Sequence, residues 1–340
     1  MIKKRLGWLA LLITISIQGF GFTVLDIPLL QNQIPELPNT LNSALFTEQE
    51  IGPLKTKYQQ FFFHDLDNIN HQHFFYQFPV NQYNIVSQVF LLDSNLETVV
   101  LSHGYLDHAG FNRPLVNVLL SNSYNVIVFD QPGHGLSSGA RSGIDSFSTY
   151  QQVISQTINH FKPQLNNTIH VIGHSTGNVG IMDLITNNQT QWDGETIMLS
   201  PLIRSKMWRI SKFFFKVGGG LFNKIPRKFR NNSHNKKFKK WLRKEPFVIN
   251  KLSKTWINAH HNWEESIQNN PISQFKLTII QGQDDIIVDY KYNQEYLNKH
   301  FPNLRLIKIK KANHHLINET EHIQTQVFQF ILASLKSNSP

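Results

Sequence analysis

Short apolar runs alternate along the chain with amphipathic stretches, and this alternation predicts most of the fold. Each run is almost continuously apolar over four or more positions, as expected of parallel strands buried on both faces. The runs that predict strands are Thr98–Leu101, Asn125–Phe129, Thr168–Ile172, Thr196–Leu199, Leu277–Ile280 and Leu304–Ile309. The stretches between them include several long enough for crossover helices. The repetition of strand and helix therefore predicts an α/β protein with an open, doubly wound and mostly parallel sheet.

Two features refine this prediction at the local level. The segments HFFYQF and YNIVSQVFLL, which precede the first of these runs, predict an antiparallel hairpin that leads into the sheet. Ser148, followed three residues later by Gln151, has the spacing of a capping box in front of an apolar helical stretch. We therefore expect Ser148 to cap a helix that continues through Phe161.

The alternation stops after Ser200-Pro201 and resumes near Phe275. The intervening segment is strongly basic: positions 201–244 hold 15 Lys and Arg residues and no Asp or Glu. It is also rich in aromatic residues: Trp208, Phe213, Phe214, Phe215, Phe222, Phe238 and Trp241. We predict an inserted helical cap at 201–263, with the core formed by residues 26–200 and 264–340.

The N-terminus has the pattern of a targeting segment. Lys3, Lys4 and Arg5 precede an uncharged, mainly apolar run from Leu6 to Leu25, which is a secretory signal pattern. The run is also just long enough to cross a bilayer core of ~30 Å. Residues 1–25 are therefore expected to be either a cleaved signal or an uncleaved anchor, and a buried first helix is the less favoured alternative. The domain would then lie at the bacterial inner membrane or in the periplasm.

Charge and composition narrow the function classes. The chain of 340 residues carries a formal net charge of +10, but 15 of its 33 Lys and Arg residues lie at positions 201–244. Outside positions 201–244, 18 basic residues face 23 acidic ones, which excludes a uniformly basic protein. No nucleic-acid recognition motif accompanies the charge, so no nucleic-acid partner is expected. The absence of cysteine excludes a disulfide scaffold, thiolate metal sites and a cysteine nucleophile.

A serine is the candidate nucleophile. The pattern G-x-S-x-G occurs at Gly135–Gly139 and again at Gly173–Gly177, so the motif alone does not select one serine. Only the second follows a predicted strand directly and leads into a helical stretch. Such a turn needs glycines because the backbone passes close to itself while the serine is strained and points outward. We therefore predict that Ser175 is the nucleophile.

A serine hydroxyl needs a base, and the base needs an acid to orient it. In this fold the order along the chain is serine, acid, histidine. Asp284 and Asp285 follow the predicted strand Leu277–Ile280, and His314 and His315 follow the strand Leu304–Ile309. An oxyanion hole requires two backbone N–H groups. Thr176, directly after the nucleophile, and Tyr105, in the loop after the strand Thr98–Leu101, are the candidates.

These motifs together resemble the serine α/β-hydrolases of the monoacylglycerol lipase and bacterial lysophospholipase group. The similarity runs from about residue 85 to 335, with the cap alike in position only. It rests on Ser102-His-Gly104 with His108, Asp130-Gln-Pro-Gly-His-Gly-Leu-Ser137, Gly173-His-Ser-Thr-Gly177, Ser200-Pro-Leu202, Gly282-x-x-Asp285 and Asn313-His314. The resemblance implies the α/β-hydrolase fold, Asp285 rather than Asp284 as the acid, and His314 rather than His315 as the base. It implies scaffold roles for His174, Asp130 and His134.

The expected activity is hydrolysis of the carboxylic ester of a single-chain lipid, either a lysophospholipid or a monoacylglycerol. Aromatic side chains of the cap would suit the acyl chain, and its cations would suit a phosphate or an anionic membrane. Tyr105 departs from the small residue common in the group, which would narrow the acyl site. The histidine clusters lack zinc-ligand spacing, so neither a metal nor another cofactor is expected. The alternatives are a general carboxylesterase, an acyltransferase with the same residues, and a non-catalytic lipid-binding protein.

Overall fold

An eight-stranded, mostly parallel sheet forms the centre of the protein in the computed structural model, which describes residues 21–37, 46, 52–212 and 224–336. Its strand order is β1-β2-β4-β3-β5-β6-β9-β10, and β7 and β8 form a separate antiparallel ribbon. The strands are β1 Gln72–Val80, β2 Tyr83–Leu91, β3 Thr98–Ser102, β4 Asn125–Phe129, β5 Ile169–His174, β6 Thr196–Leu199, β7 Lys224–Pro226, β8 Lys251–Ser253, β9 Thr278–Gly282 and β10 Arg305–Ile309. The predicted fold class is confirmed, with strand ends shifted by one or two residues.

Helices cover both faces of this sheet. Among the described residues they are α1 Asp26–Gln31, α2 Pro53–Phe62, α3 Arg113–Ser121, α4 Ser148–Phe161, α5 Gly177–Thr186, α6 Lys236–Leu242, α7 Lys254–Ser266, α8 Tyr290–His300 and α9 Glu321–Leu335. Buried side chains of α4, α5, α7 and α8 share one apolar cluster, and those of α1, α2, α3 and α9 share another. Neighbouring residues of a strand contribute to opposite clusters, since the side chains of a strand alternate between its faces.

The hairpin prediction is confirmed, whereas the capping box is wrong. Strands β1 and β2 pair antiparallel from Gln72↔Leu91 to Val80↔Tyr83. Helix α4 already begins at Ser148, behind Phe147, and no side-chain cap is formed. Gln151 reaches across to Gln189 instead of turning back to the helix terminus. A tertiary hydrogen bond therefore replaces the local one.

The chain leaves the sheet after β6 and returns at β9, although these two strands pair directly in parallel. Between them lie the β7–β8 ribbon, α6 and α7. Helix α7 packs on the main core through Trp256, Ile257 and Trp263, so the predicted end of the insertion at residue 263 falls inside a helix of the core layer.

The predicted signal or anchor at residues 1–25 lies outside the described residues as far as position 20. From there the chain belongs to the folded domain: Phe22 is buried against Tyr58, Phe62 and Phe247. Among residues 21–37, 46, 52–212 and 224–336, no helix is long and apolar enough to cross a membrane.

Candidate active site

Ser175 occupies the sharp turn between β5 and α5. Its φ of 51° lies in the left-handed region, which is unusual for a residue other than glycine. The turn is held by the Ser175 amide, which donates to the Leu199 carbonyl at 2.9 Å, and by the Asn178 amide, which donates to the Ser175 carbonyl at 3.1 Å. A Cβ at position 177 would collide with the Ser102 carbonyl, so the following glycine is required. A strained residue fixed in this way at a strand-to-helix turn is typical of a nucleophile elbow.

The other G-x-S-x-G match has a structural explanation. The Ser137 hydroxyl donates to the Asp130 carbonyl at 2.6 Å and accepts from the Val86 amide at 2.8 Å. Gly135 and Gly139 both have positive φ, of 45° and 111°. Ser137 is buried, and its two hydrogen bonds connect its loop to strand β2 and to the end of β4. This motif is therefore a turn that stabilises the sheet.

Asp285 and His314 meet across the ends of β9 and β10. His314 Nδ1 lies 2.8 Å from Asp285 Oδ2, while Oδ1 accepts from the amides of Ile287 at 2.8 Å and Val288 at 3.1 Å. Burial alone would raise the pKa of Asp285, but His314 and the two amides lower it below its ordinary value. The neighbouring Asp284 is exposed. An ionised Asp285 thus fixes the His314 tautomer with its proton on Nδ1, which leaves Nε2 free to accept one.

His174 connects the serine turn with the histidine loop. Its Nε2 lies 3.2 Å from the His314 carbonyl oxygen, and the two imidazole centroids are 4.9 Å apart. The same loop is supported from below by Glu319, which is fully buried and accepts from the Asn313 amide at 2.9 Å. The structure therefore brings the peptide preceding Ser175 against the His314 backbone. Glu319 was missed by the sequence reasoning, since nothing in its surroundings distinguishes it from a surface acid.

The predicted oxyanion donors lie in two loops that approach each other. Thr176 stands at the N-terminal end of α5, and Tyr105 follows β3. Neither amide donates a hydrogen bond to any described residue. A Cβ built at Gly104 would lie 3.1 Å from the Ser175 Cβ, so the Tyr105 loop runs directly past the serine. Two unused N–H groups beside the serine are what a developing oxyanion requires.

The Tyr105 side chain turns toward the insertion. Its ring stacks on Trp256 of α7 at a centroid distance of 3.8 Å and an interplanar angle of 11°. Its hydroxyl donates to the Ser142 carbonyl at 3.0 Å and accepts from the Ser253 amide of β8 at 3.2 Å. Burial raises the pKa of Tyr105 to about 12, so the hydroxyl is neutral at physiological pH. The bulky residue thus joins the loop after β3 to the β7–β8 ribbon.

A buried acid that the sequence reasoning missed lies beneath the serine. Asp107 Oδ2 is 3.2 Å from His174 Nδ1 and 3.2 Å from His315 Nε2. Burial opposes ionisation of Asp107, yet the two imidazoles hold its pKa well below the ordinary value. Burial lowers the pKa of His174 to about 4. Asp107 thus links the residue before Ser175 to the residue after His314. Asp107 lies three residues after Gly104, in the loop that carries Tyr105, and this position was the sequence signal that could have identified it.

The same three side chains have a spacing that could hold a cation. The proton positions implied by their hydrogen-bond partners oppose it. Asn318 Nδ2 donates to the Phe111 carbonyl at 3.0 Å and lies 3.2 Å from His315 Nδ1, so the His315 proton is on Nε2, facing Asp107. A nitrogen that carries a proton cannot bind a metal. The His315 tautomer therefore opposes a metal at Nε2, and the 3.2 Å contact of this atom with Asp107 Oδ2 is electrostatic, since it lacks hydrogen-bond geometry.

Asp130 and His134 have the contacts of scaffold residues. The Asp130 carboxylate accepts from the Ala109 amide at 2.7 Å and the Leu136 amide at 2.8 Å, and burial raises its pKa. His134 Nε2 accepts from the Leu106 amide at 3.2 Å. Both side chains therefore hold the loop that carries Tyr105, without facing Ser175 in any contact described.

The parallel sheet, the strained serine turn and the acid–imidazole pair at the strand ends define the class of α/β hydrolases. The family described as serine aminopeptidase, S33 (Hydrolase_4) matches residues 93–321, and the chain belongs to this family. The expected relation to the α/β-hydrolase group is confirmed, and the chain is a hydrolase.

Three similar proteins illustrate the range of this relation. Phospholipase YtpA of Bacillus subtilis (strain 168) is 22% identical over 207 residues, which are 58% of this chain and 79% of that protein. The crystal structure of the Paleococcus ferrophilus monoacylglycerol lipase has a TM-score of 0.60 at 21% identity, covering 71% of this chain and 95% of that one. A soluble variant of Saccharomyces cerevisiae monoglyceride lipase, in complex with a substrate analog, has a TM-score of 0.66 at 18% identity, covering 78% and 95%. At these identities the structural likeness shows the fold.

Proposed function

We propose that this hydrolase uses Ser175, His314 and Asp285 to cleave the carboxylic ester of a single-chain lipid through an acyl-enzyme. The observation that carries the proposal is the 2.8 Å contact between His314 Nδ1 and Asp285 Oδ2. The His314 backbone contacts His174, which directly precedes Ser175 in its strained turn. Burial of the pair strengthens its electrostatic interaction, since little water screens it.

In the proposed reaction, Ser175 Oγ attacks the ester carbonyl while His314 Nε2 takes the hydroxyl proton. The carbonyl oxygen becomes an oxyanion held by the amides of Tyr105 and Thr176. Collapse of the tetrahedral intermediate breaks the bond to the alcohol, which leaves with the proton from His314. Water, deprotonated by the same imidazole, then attacks the acyl-enzyme and releases the fatty acid. Asp285 stays ionised and stabilises the imidazolium in both steps.

Two features support a lipid as the substrate. The insertion contacts Tyr105 through the Ser253 amide and the Trp256 ring, and Arg227 of the insertion acts on Tyr105 electrostatically. The named relatives are a phospholipase and monoacylglycerol lipases. An acyl chain would pack against aromatic side chains, and a phosphate would bind guanidinium or ammonium groups. A lysophospholipid or a monoacylglycerol is therefore the proposed substrate.

The test compares Ser175→Ala with Ser137→Ala, the matched change in the other G-x-S-x-G motif. Substrates are lysophosphatidyl lipids, monoacylglycerols, short nitrophenyl esters and an amino-acid arylamide, the last because of the family description. We expect Ser175→Ala to lose ester hydrolysis and fluorophosphonate labelling with little change in Tm, and Ser137→Ala to keep both. Turnover retained by Ser175→Ala would refute the mechanism. Preference for short esters would indicate a general carboxylesterase. Absence of the fluorophosphonate adduct in the wild type would indicate a lipid-binding protein without catalysis. Acyl products formed with added alcohols would indicate a transferase.

A further inference from the structure

Two exposed features of unusual composition on the described surface are anchored by the same group of buried aromatic residues. The first, the α1 apolar face, consists of Val24, Leu25 and Leu29, which are 62%, 83% and 56% exposed. The second, the α6 cationic face, consists of five exposed cations on and just after α6: Lys236, Lys237, Lys240, Arg243 and Lys244. Apolar side chains in water and uncompensated cations each call for a partner.

Helix α1 is apolar on both sides, although it faces solvent on one. Its inner side buries Ile27 and Leu30, which belong to the core cluster of the second sheet face. Its outer side presents Leu25 and Leu29 to water. A short surface helix normally places polar residues there. The outer side of α1 is therefore suited to an apolar medium.

Helix α6 has a buried apolar side and an exposed cationic side. Phe238 and Leu242 are buried, and Phe111 packs on Phe238 at 5.7 Å and on Trp241 at 5.2 Å, which fixes the helix on the domain. None of the ion pairs formed among the described residues involves the α6 cationic face. Glu245, the first acid after the segment, is buried beside His108 at 3.2 Å and gives this face no compensation at the surface.

Aromatic packing joins the two faces. Phe22, two residues before Val24 of the α1 apolar face, contacts Phe62 at 6.0 Å, and Phe62 contacts Trp241 of α6 at 6.1 Å. Phe22 also contacts Phe247, which follows the α6 cationic face, at 5.8 Å. The two faces are therefore held by one buried cluster and cannot separate without disrupting the core.

The N-terminal segment outside the described residues, positions 1–20, joins the domain at the same place. Residues 6–20 carry no charged side chain and follow three N-terminal cations, and the chain enters the folded domain at Gly21, immediately before Phe22. Whatever the fate of this segment, its junction with the domain lies beside both faces. An uncharged, mainly apolar segment next to exposed leucines and five cations points to a bilayer rather than to a soluble partner.

We propose that the α1 apolar face and the α6 cationic face together dock the domain on an anionic lipid bilayer. The leucines would enter the acyl boundary, and the cations would lie at the level of the headgroups. The proposal does not depend on the catalytic residues. Each cation near an anionic surface is expected to change the affinity by ~5-fold.

The absence of native cysteine allows a direct test, because a single introduced thiol can be labelled in the full chain. A fluorophore is attached at Leu25→Cys, Leu29→Cys or Lys308→Cys, the last on the exposed side of the edge strand β10. The labelled protein is titrated with vesicles that carry a lipid-borne quencher. The vesicles are phosphatidylcholine alone or an equimolar mixture with phosphatidylglycerol. We expect quenching at Leu25 and Leu29, stronger with phosphatidylglycerol, and little at Lys308.

The charge contribution is tested by Lys237→Glu with Lys240→Glu against the matched pair Lys308→Glu with Lys310→Glu. The first pair is expected to weaken quenching of the Leu25→Cys probe by phosphatidylglycerol vesicles by on the order of tenfold or more in affinity, and the second to leave it within about twofold. Equal quenching at all three positions, independence from phosphatidylglycerol, or equal loss in both pairs would overturn the proposal. So would tighter binding of an RNA oligonucleotide than of these vesicles, which would assign the cations to nucleic acid.

Discussion

Replacing Asp285 with asparagine tests the proposed triad at the carboxylate, both oxygens of which have fixed hydrogen-bond partners. In the wild type, Oδ1 accepts the amides of Ile287 and Val288, while Oδ2 accepts His314 Nδ1–H and lies 3.0 Å from Gln281 Nε2. The asparagine oxygen must keep the Oδ1 position to satisfy the two backbone amides. Its NH₂ group then faces His314 Nδ1. Two donors cannot share a proton, so the imidazole is forced to carry its proton on Nε2.

The wrong tautomer cannot accept the serine proton, and the buried imidazolium also loses its counter-charge. We therefore expect Asp285→Asn to lower kcat by on the order of 10⁴, a barrier increase of about 5 kcal/mol. The KM should change little, because Asp285 does not face the substrate. Hydrolysis of a nitrophenyl ester measures the loss, and titration with a fluorophosphonate measures how slowly Ser175 reacts.

Asp284→Asn is the matched control, since its carboxylate is exposed one residue away and should be dispensable. Thermal unfolding confirms that Asp285→Asn is folded. A kcat within tenfold of the wild type, in a folded Asp285→Asn protein, would contradict the reasoning. Equal losses in the two variants would show that the loop, rather than one carboxylate, is required.

Three further predictions concern other charged groups. Asp107→Asn should lower stability to urea by about 2 kcal/mol, because two imidazoles lose a charged partner; an unchanged unfolding midpoint would argue against the cluster. Burial raises the pKa of Asp183 to about 7, so ionisation of this one carboxyl group should cost the fold increasing stability as the pH rises from about 4 to 7. Asp183→Asn, which keeps an acceptor for Trp263, should therefore gain in Tm relative to the wild type at pH 8 but not at pH 4. Arg227, half-buried on the ribbon with Asp107 and Tyr105 among the groups that act on it electrostatically, should bind a substrate phosphate. Arg227→Gln should lower kcat/KM for lysophosphatidyl lipids by about tenfold but leave monoacylglycerols nearly unchanged.

The sequence patterns that predicted the sheet were those least sensitive to tertiary context. Continuous β-branched runs such as Asn125–Phe129 were recovered residue for residue, because only a strand buried on both faces needs such composition. The alignment of Ser175, Asp285 and His314 could be predicted because each follows such a strand, and parallel strands direct their following loops to one edge. The same reasoning separated Ser175 from Ser137 on strand context alone.

Interactions between distant segments could not be predicted in the same way. Ser148 and Gln151 satisfy a local capping rule, yet Gln151 bonds to Gln189, which only the folded structure brings near. Asp107 was overlooked because its partners, His174 and His315, belong to separate loops. A buried acid is recognisable only when the charges that offset its desolvation are known. No local pattern carries that information.

The strand register explains why these loops meet at one point. In the parallel ladders Ser102 pairs with Gly173, His174 with Leu199, Leu199 with Ile280 and Ile309 with Gly282. The five strands therefore end at one edge of the sheet, with β5 one residue beyond β3 and β9 two residues beyond β6, and the loops with Tyr105, Ser175, Asp285 and His314 leave that edge side by side. A slip of one residue would reverse the faces of a strand and move its loop by about 3.3 Å. Since the Asp285–His314 contact depends on that alignment, apolar packing of β9 and β10 sets the geometry of the site as directly as the polar residues do.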